Sequence, residues 1–359
     1  MFFFIGADCK LLEKANNGLF LDKGWTNIDN VWYKGYTVEG TVASQLHNIR
    51  QGYQPEGIWA VIELIDTYQV YHSKMRGFPI YKKENESTNL NLDGFTLCTR
   101  PYNEVNSTET LTISQVTVEV QRILTDSCLN YYQVNNQPLE IFVSGGYDTT
   151  LIMAICEFND IPYRAHITSN KTIEYTTNLI EFCQETYWAY NFLSIFEDRK
   201  ITCGFYGDEV MCRNIWQLRM LANSKSKTLR EVVVESDYVY KFVNRLSHQY
   251  LLDLTTEYKL VKQEIMNSTI SNQVWHIDNT EVFCPYLNYK IFTTMLKLSV
   301  EDLLKVGPNA LIQHAIIKSY NQGMERLLDE YKNTTDTMKN FLANFNSLNL
   351  KNCVELVLT

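Results

Sequence analysis

The sequence contains no apolar run near the roughly 20 residues that a membrane-spanning helix requires. Its nine cysteines include no Cys-x-x-Cys pair, which argues against a zinc site and against a disulfide framework. No basic residue precedes the apolar segment 1–6, so this segment does not fit a secretory signal and predicts a first strand instead. Together these absences predict a cytoplasmic protein with reduced thiols.

Acidic residues outnumber basic ones, 41 to 32, which gives a formal net charge of −9. A surface with this balance repels phosphate backbones, so general coating of nucleic acid is not expected. The 45 % hydrophobic and 20 % charged content excludes a fully disordered chain. With 359 residues, the chain is long enough for one large domain or two of ordinary size.

The first hundred residues are rich in β-branched and aromatic residues and predict strands. These strands cover residues 32–38, 58–65, 67–72 and 78–81. A turn at 75–77 would pair the last two with each other. Polar stretches at 82–93 and 103–107 follow, and a helical pattern begins at Ser114, so we expect a domain boundary near residue 105.

The second half of the chain alternates strands with helices. Strands are predicted at 139–143, 163–168 and 200–203, and helices at 114–129, 148–158, 172–186, 229–263 and 309–331. This order predicts right-handed crossovers and a parallel sheet. The fold class is therefore α/β, with a first domain rich in antiparallel strands and then a doubly wound parallel sheet with extra C-terminal helices. The polar segment 332–359 is expected to be a helix or a loose tail.

The segment after the strand 139–143 is Ser144-Gly145-Gly146-Tyr147-Asp148-Thr149-Thr150. Two consecutive glycines allow a sharp bend that directs several backbone N–H groups into one concavity, and the next helix N-terminus adds partial positive charge. The hydroxyls of Ser144, Thr149 and Thr150 add donors, so the segment predicts a phosphate-binding cradle. Asp148 would repel a bare phosphate unless Mg²⁺ bridges the carboxylate and the phosphate oxygens.

A simpler interpretation of this segment is an ordinary strand-to-helix turn in which Asp148 caps the helix. We favour phosphate binding because an apolar strand precedes the glycines and a helix with two threonines follows them. The segment lacks the lysine of a Walker A loop, and its glycine spacing does not fit a dinucleotide-binding fingerprint.

A second glycine-rich turn follows the strand 200–203. It contains Gly204 and Gly207 and ends in the acidic pair Asp208-Glu209. Because ligands of doubly wound sheets bind at the carboxyl ends of parallel strands, Asp148 and Asp208 are expected to meet there and hold Mg²⁺. The alternative is that the acidic pair only caps the next helix.

These segments resemble those of a known family. Ser-Gly-Gly-Tyr-Asp-Thr-Thr at 144–150 resembles the pyrophosphate loop, Ser-Gly-Gly-x-Asp-Ser/Thr, of the ATP pyrophosphatases (PP-loop proteins). The turn at 204–209 and the segment 281–287 resemble the Ser-Gly-Glu-Gly-Ala-Asp-Glu and Val-Arg-x-Pro-Phe-Leu segments of asparagine synthetases. Segments 57–60 and 76–81 are similar to Gly-x-Phe-Ala and Arg-x-Gly-x-x-Pro-Leu-Tyr in the N-terminal glutaminase domain of that family.

The resemblance implies an enzyme that uses ATP to adenylate a carboxylate, releases pyrophosphate and transfers the acyl group to ammonia or an amine. It implies that pyrophosphate is held by Ser144, Gly145, Gly146, Asp148 and Thr149. Asp148 and Asp208 would hold Mg²⁺, and Ile167 and Thr168 would line the adenine pocket. Tyr147, Thr150, Gly204 and Gly207 complete the predicted nucleotide site.

The first departure from the family lies at the N-terminus. Where the glutaminase has a cysteine nucleophile directly after the initiator methionine, this chain has Phe2, and Cys9 lies too far along to replace it. Residues 1–105 are therefore expected to form a degenerate glutaminase-like domain of the N-terminal-nucleophile (Ntn) hydrolase type, as in relatives that make β-lactams or macrolactams. Residues 106–331 would form the PP-loop domain, and 332–359 the C-terminal helix or tail.

Two further departures affect the expected catalytic residues. Phe205 stands where the family has a glutamate, and Asn309 stands where it has a lysine. Lys305 lies one helical turn earlier and is the predicted substitute. The predicted catalytic residues are thus Asp148, Asp208 and Lys305. His166, on a predicted strand, is interpreted as a core histidine rather than a catalyst.

The favoured function is an ATP- and Mg²⁺-dependent amide synthetase that adenylates a small-molecule or peptide carboxylate and takes ammonia or a primary amine directly, without its own glutaminase. A nucleotide-binding relative without turnover, with a regulatory or scaffold role, stays open because of the lost glutamate and lysine. A third candidate, an ATP pyrophosphatase that modifies tRNA, is disfavoured by the acidic pI of about 5.3 and the absence of zinc-type cysteines. No membrane or nucleic-acid partner is expected, and a homodimer is allowed.

Overall fold

The computed structural model describes fourteen stretches of the chain. These are residues 2–5, 13–16, 19–21, 25–65, 68–74, 80–83, 96–97, 109–143, 146–167, 200–204, 207–211, 281–306, 310–329 and 337–358. The helices predicted at 172–186 and 229–263 lie outside the described residues, as do Cys9, Ser144, Gly145, Thr168, Phe205 and Asn309.

Two units make up the chain. The first comprises Met1–Asn103, Thr172–Ile201 and Ile270–Phe283, and the second comprises Glu104–Lys171, Thr202–Thr269 and Cys284–Thr359. No helix among the described stretches is long and apolar enough to cross a membrane. The predicted α/β class is confirmed, since helices accompany both antiparallel and parallel strand pairing.

Nine strands of the first unit form two sheets. They are β1 (Phe2–Ile5), β2 (Glu13–Asn16), β3 (Leu19–Leu21), β4 (Thr26–Ile28), β5 (Val31–Thr37), β6 (Gly57–Leu64), β7 (Tyr68–His72), β8 (Ile80–Lys83) and β9 (Thr96–Leu97). One sheet has the order β2-β3-β1-β8-β9 and the other the order β4-β5-β6-β7. The apolar strand β1 lies inside its sheet, parallel to β3 and antiparallel to β8.

The predicted pairing of the strands 67–72 and 78–81 is wrong. β7 pairs with β6 in the four-stranded sheet, whereas β8 pairs with β1 and β9 in the five-stranded sheet. An apolar strand at the edge of a sheet would leave its backbone groups unpaired and open to pairing with another chain, and β8 covers this edge of β1. The pairing is therefore set by a contact between segments far apart in sequence rather than by the turn.

The four-stranded sheet packs against α1 (Val42–Arg50), a helix that is absent from the sequence-based prediction. Thr41 begins the helix, since its hydroxyl accepts a hydrogen bond from the backbone N–H of Ser44 at 3.1 Å. The shared core is apolar and consists of Val31, Val42, Ile49, Trp59 and Val61. Burying such side chains is the main stabilising term for this sheet.

The second unit begins with α2 (Ile113–Asn135), which extends beyond the predicted helix at both ends. Thr112 and Gln115 form a capping box at its N-terminus, and Asn136 ends it in the left-handed conformation. Further helices are α3 (Tyr147–Phe158), α4 (Gly207–Val210), α5 (Tyr289–Met295), α6 (Val300–Val306), α7 (Leu311–Tyr320), α8 (Arg326–Asp329) and α9 (Thr337–Ser347). A 3₁₀ turn, Gln322–Glu325, separates α7 from α8 where one helix was predicted.

A five-stranded sheet contains the strands predicted at 139–143, 163–168 and 200–203. Its strands are β10 (Leu139–Phe142), β11 (Tyr163–Ile167), β12 (Lys200–Thr202), β13 (Glu281–Phe283) and β14 (Cys353–Leu358), in the order β13-β12-β10-β11-β14. β10 is parallel to both β11 and β12, as predicted. Because the carboxyl ends of parallel strands lie at the same end of the sheet, the segments that follow β10 and β12 begin next to each other there.

The last strand differs from the expected helix or tail. After α9 the chain forms β14, which runs parallel to β11. The side chain of Glu157 fixes the entry to this strand, because its two carboxylate oxygens accept hydrogen bonds from the backbone N–H groups of Lys351 and Asn352. The apolar run 353–358, interrupted only by Glu355, favours a strand despite the polar residues before it.

Candidate phosphate-binding site

The predicted phosphate-binding segment ends in the first turn of α3. Gly146 is the N-cap residue, in an extended conformation with φ −83° and ψ 168°, and it makes no side-chain cap. Its carbonyl accepts the backbone N–H of Thr150 at 3.1 Å and the hydroxyl of Thr149 at 3.4 Å. Asp148 therefore lies inside the first turn and does not occupy the cap position. The amides of this turn point toward the helix N-terminus, where the dipole favours negative charge.

The second glycine-rich turn packs directly against this first turn. A Cβ on Gly204 would lie 2.8 Å from the Cβ of Asp148 and 2.9 Å from the backbone nitrogen of Thr149. A Cβ on Gly207 would overlap the carboxyl group of Asp148 itself. Both positions therefore require glycine for the observed approach. The two segments that the sequence singles out separately therefore lie in direct contact.

Two further side chains, which are not among the predicted site residues, donate hydrogen bonds to Asp148. The Tyr286 hydroxyl donates to the Asp148 carbonyl at 3.1 Å, and the Gln313 amide donates to its carboxylate at 3.2 Å. Both side chains are buried. Tyr286 belongs to the segment 281–287 that carries part of the family resemblance, whereas Gln313, in α7, has no local pattern that marks it.

A histidine–carboxylate pair lies next to the same helix turn. The rings of Tyr147 and His314 are 6.4 Å apart, and Nε2 of His314 contacts a carboxylate oxygen of Glu325 at 2.8 Å. His314 follows Gln313 in α7, and its side chain is about half exposed. The half-exposed His314 side chain therefore lies next to Tyr147, whereas the neighbouring residue Gln313 is buried and donates its hydrogen bond to Asp148.

The remaining predicted site residues fall in different places. Ile167 is the buried last residue of β11, and the backbone of Asp208 lies in the short helix α4. Thr150 is fully buried in α3. Ser144, Gly145 and Thr168 lie outside the described residues.

Lys305, the predicted substitute for the family lysine, lies at the end of α6. Its ammonium group contacts Glu301 at 2.9 Å and Asp302 at 3.4 Å, both on the same helix. These neighbours raise its pKa, and the largest cause is the hydrogen bond that its ammonium group donates to Glu301. Lys305 is thus a charged surface lysine paired with two acids of its own helix.

His166 has a structural partner, as the core interpretation predicts. Its Nε2 contacts a carboxylate oxygen of Glu140 at 2.5 Å, and Arg164 contacts the other oxygen at 2.6 Å. Arg164 also contacts Glu355 of β14 at 3.1 Å. Burial raises the pKa of the Glu140 carboxyl, but the hydrogen bonds from His166 and Arg164 outweigh it and lower that pKa below its usual value.

Replacing Glu140 with glutamine tests this network through the pH dependence of stability. A carboxyl group with a lowered folded-state pKa stabilises the fold above its unfolded pKa, and that stabilisation is lost as pH falls through the folded value. We expect Glu140→Gln to lower the free energy of unfolding at pH 7 by about 2 kcal/mol. In urea titrations the difference from wild type should shrink as the pH falls below about 4.

The matched control is Glu109→Gln, which removes an exposed ion pair with Lys297. Because exposed pairs contribute little, this variant should change stability by less than about 1 kcal/mol at either pH. If Glu140→Gln lowered the free energy of unfolding by the same amount at every pH, the charge of the Glu140 carboxylate would not stabilise the sheet.

No protein-family model matches this chain, and a search of curated proteins finds no match to it. The functional interpretation therefore depends on the geometry around Asp148 and on the resemblance of the short segments that form it.

Proposed function

We propose that the second unit binds the phosphate tail of ATP at the N-terminus of α3 and uses the nucleotide to adenylate a carboxylate. One observation supports this most strongly: the turn after β12 packs against Asp148 in the first turn of α3, so closely that a Cβ at Gly204 or Gly207 would clash with Asp148 where it stands. A site for a phosphate chain needs this close backbone approach, because amide N–H groups are its main donors.

The position of the turn in the sheet supports the same proposal. β10 and β12 are parallel neighbours, and both glycine-rich segments follow their carboxyl ends. In doubly wound sheets this edge is where nucleotides bind. We infer that the second unit is of the PP-loop type and that the first unit is a degenerate glutaminase-like unit of the Ntn type.

Asp148 is suited to hold a magnesium ion next to the phosphates. A carboxylate is the ligand type that Mg²⁺ prefers, and Mg²⁺ needs few protein ligands because it keeps several waters. Gln313 and Gly207 restrict the position of this carboxylate from two sides, so it is preorganised. Within the described residues no cluster of three metal-ligating side chains occurs. In the proposed site, Asp148 would hold the ion together with phosphate oxygens and water. Bound Mg²⁺ would neutralise the charge that develops on the leaving pyrophosphate.

Residues of the chain would bind the nucleotide and orient it for the two chemical steps, adenylation of the carboxylate and transfer of the acyl group. The first-turn amides of α3 would bind and orient the β- and γ-phosphates, so that the substrate carboxylate attacks the α-phosphorus and pyrophosphate leaves. Ammonia or an amine would then attack the acyl-adenylate and release AMP. Since Phe2 stands at the glutaminase nucleophile position, the nitrogen would come from solution rather than from glutamine.

A second candidate, nucleotide binding without turnover, is supported by the surroundings of Lys305. The resemblance implies a lysine that stabilises charge in the transition state, whereas the ammonium of Lys305 contacts Glu301 and Asp302. The two candidates agree on the phosphate site and differ in whether ATP is cleaved.

Pyrophosphate release separates the two functions. We expect the purified chain to release pyrophosphate when it is incubated with ATP, Mg²⁺ and a panel of carboxylates and amines, and to form AMP in equal amount. Removing Mg²⁺ with a chelator should stop the release. Measurable ATP binding without pyrophosphate from any substrate pair would favour the non-catalytic protein, and absence of ATP binding would contradict both.

A further inference from the structure

Two cysteine thiols meet beside the candidate site. The sulfur atoms of Cys203 and Cys284 are 3.1 Å apart, although the residues are 81 positions apart in the sequence. Neither residue is in a disulfide, and both side chains are buried. The sequence predicted only dispersed reduced thiols, so the fold alone brings these two together.

The two thiols lie at the ends of neighbouring strands. Cys203 directly follows β12 and Cys284 directly follows β13, and these strands are neighbours in the sheet. Neighbouring strands lie about 4.8 Å apart, which is within the Cα separation of about 4.4–6.8 Å that a disulfide spans. The sulfurs need to approach by only about 1 Å to reach the bonded distance.

We propose that Cys203 and Cys284 are a redox modification site, where a peroxide converts the two thiols into a reversible disulfide. The thiolate of one cysteine attacks hydrogen peroxide and becomes a sulfenic acid, and the hydroxide that leaves takes up the thiol proton as one water. The second thiol then attacks the sulfenic sulfur, so that the S–S bond forms and the sulfenic oxygen leaves as a second water. The two thiols together lose two protons and two electrons, which reduce the peroxide to water. This inference is independent of the proposed nucleotide chemistry.

Both cysteines adjoin residues that hold the first turn of α3. Gly204, next to Cys203, packs against Asp148 and Thr149, and Tyr286, two residues after Cys284, donates to the Asp148 carbonyl. A disulfide would therefore join the two segments that contact Asp148. We expect oxidation to restrict their separation and to stabilise the unit, because the bond closes a long loop in the unfolded chain.

Peptide mass mapping of the full chain tests the proposal. After reduction, removal of the reductant and treatment with hydrogen peroxide at mildly alkaline pH, we expect a linked peptide pair containing Cys203 and Cys284, about 2 Da lighter than the two reduced peptides. Dithiothreitol should reverse the change. The proposal would be overturned if Cys203 and Cys284 of the peroxide-treated protein were still alkylated after unfolding. It would also be overturned if either residue formed disulfides mainly with other cysteines.

Single substitutions provide the matched controls. Cys353→Ser removes a partly buried cysteine of β14 and should leave the 203–284 link intact, whereas Cys203→Ser and Cys284→Ser should abolish it. The oxidised wild type should melt at least about 3 °C above the reduced form, and oxidation should not raise the melting temperature of Cys203→Ser. An equal rise in Cys203→Ser would contradict the assignment, and the wild-type mass map tests it even if that variant does not fold.

Discussion

Replacing Asp148 with asparagine is expected to lower pyrophosphate release by a factor of about 100 to 1,000. Asparagine has nearly the same size, and its side-chain oxygen can still accept the hydrogen bond from Gln313. The substitution therefore removes the negative charge and little else. Loss of activity with an unchanged melting temperature would assign the effect to the charge rather than to the fold.

The measurement is the initial rate of pyrophosphate release over a range of Mg²⁺ concentrations. If the chain binds ATP without cleaving it, the affinity for Mg·ATP is measured in the same way, and we expect it to fall in Asp148→Asn. Asp126→Asn is the matched control, because Asp126 is an exposed residue of α2 paired with Arg122. An Asp148→Asn protein with wild-type rate and wild-type Mg²⁺ dependence would remove Asp148 from the metal site.

Replacing Gly207 with alanine is expected to lower pyrophosphate release about 100-fold. The new methyl group would occupy the position of the Asp148 carboxyl group, so the carboxyl must rotate away from Gln313. The displaced group is a side-chain end rather than backbone, so we expect a smaller effect on folding than on activity. A displacement of about 1 Å in a preorganised site is sufficient for a loss of this size.

Gly52→Ala is the control for adding a methyl group to a glycine. Gly52 has φ +86° and nothing within 4 Å of its Cβ position, so alanine strains only the backbone. This variant should lose about 1 kcal/mol of stability and keep its activity per folded molecule. Wild-type pyrophosphate release in Gly207→Ala, together with continued dependence on Asp148, would show that Gly207 does not position the carboxylate.

Local pattern predicted the elements that form the candidate site. The apolar strand β10, the glycines after it and the apolar face of α3 are all visible in the sequence, and the structure places the helix within one residue of the prediction. The parallel pairing of β10 with β11 and β12 followed from the order of strands and helices.

Contacts between distant segments could not be predicted in the same way. Gln313 reaches Asp148 across 165 positions, and nothing in the sequence around it indicates a polar partner. The pairing of β8 with β1 depends on which strand neighbours the apolar β1 rather than on the turn between β7 and β8. β14 had a strand pattern, but the polar residues before it favoured a tail.

The most direct measurement is the crystal structure of the chain with Mg²⁺ and a nucleotide whose α–β bridging oxygen is a methylene group, because this analogue cannot release pyrophosphate. We predict that its β- and γ-phosphates contact the amides of the first turn of α3, with the metal beside the Asp148 carboxylate. Phosphates bound elsewhere, with no nucleotide at this turn, would contradict the proposed phosphate site.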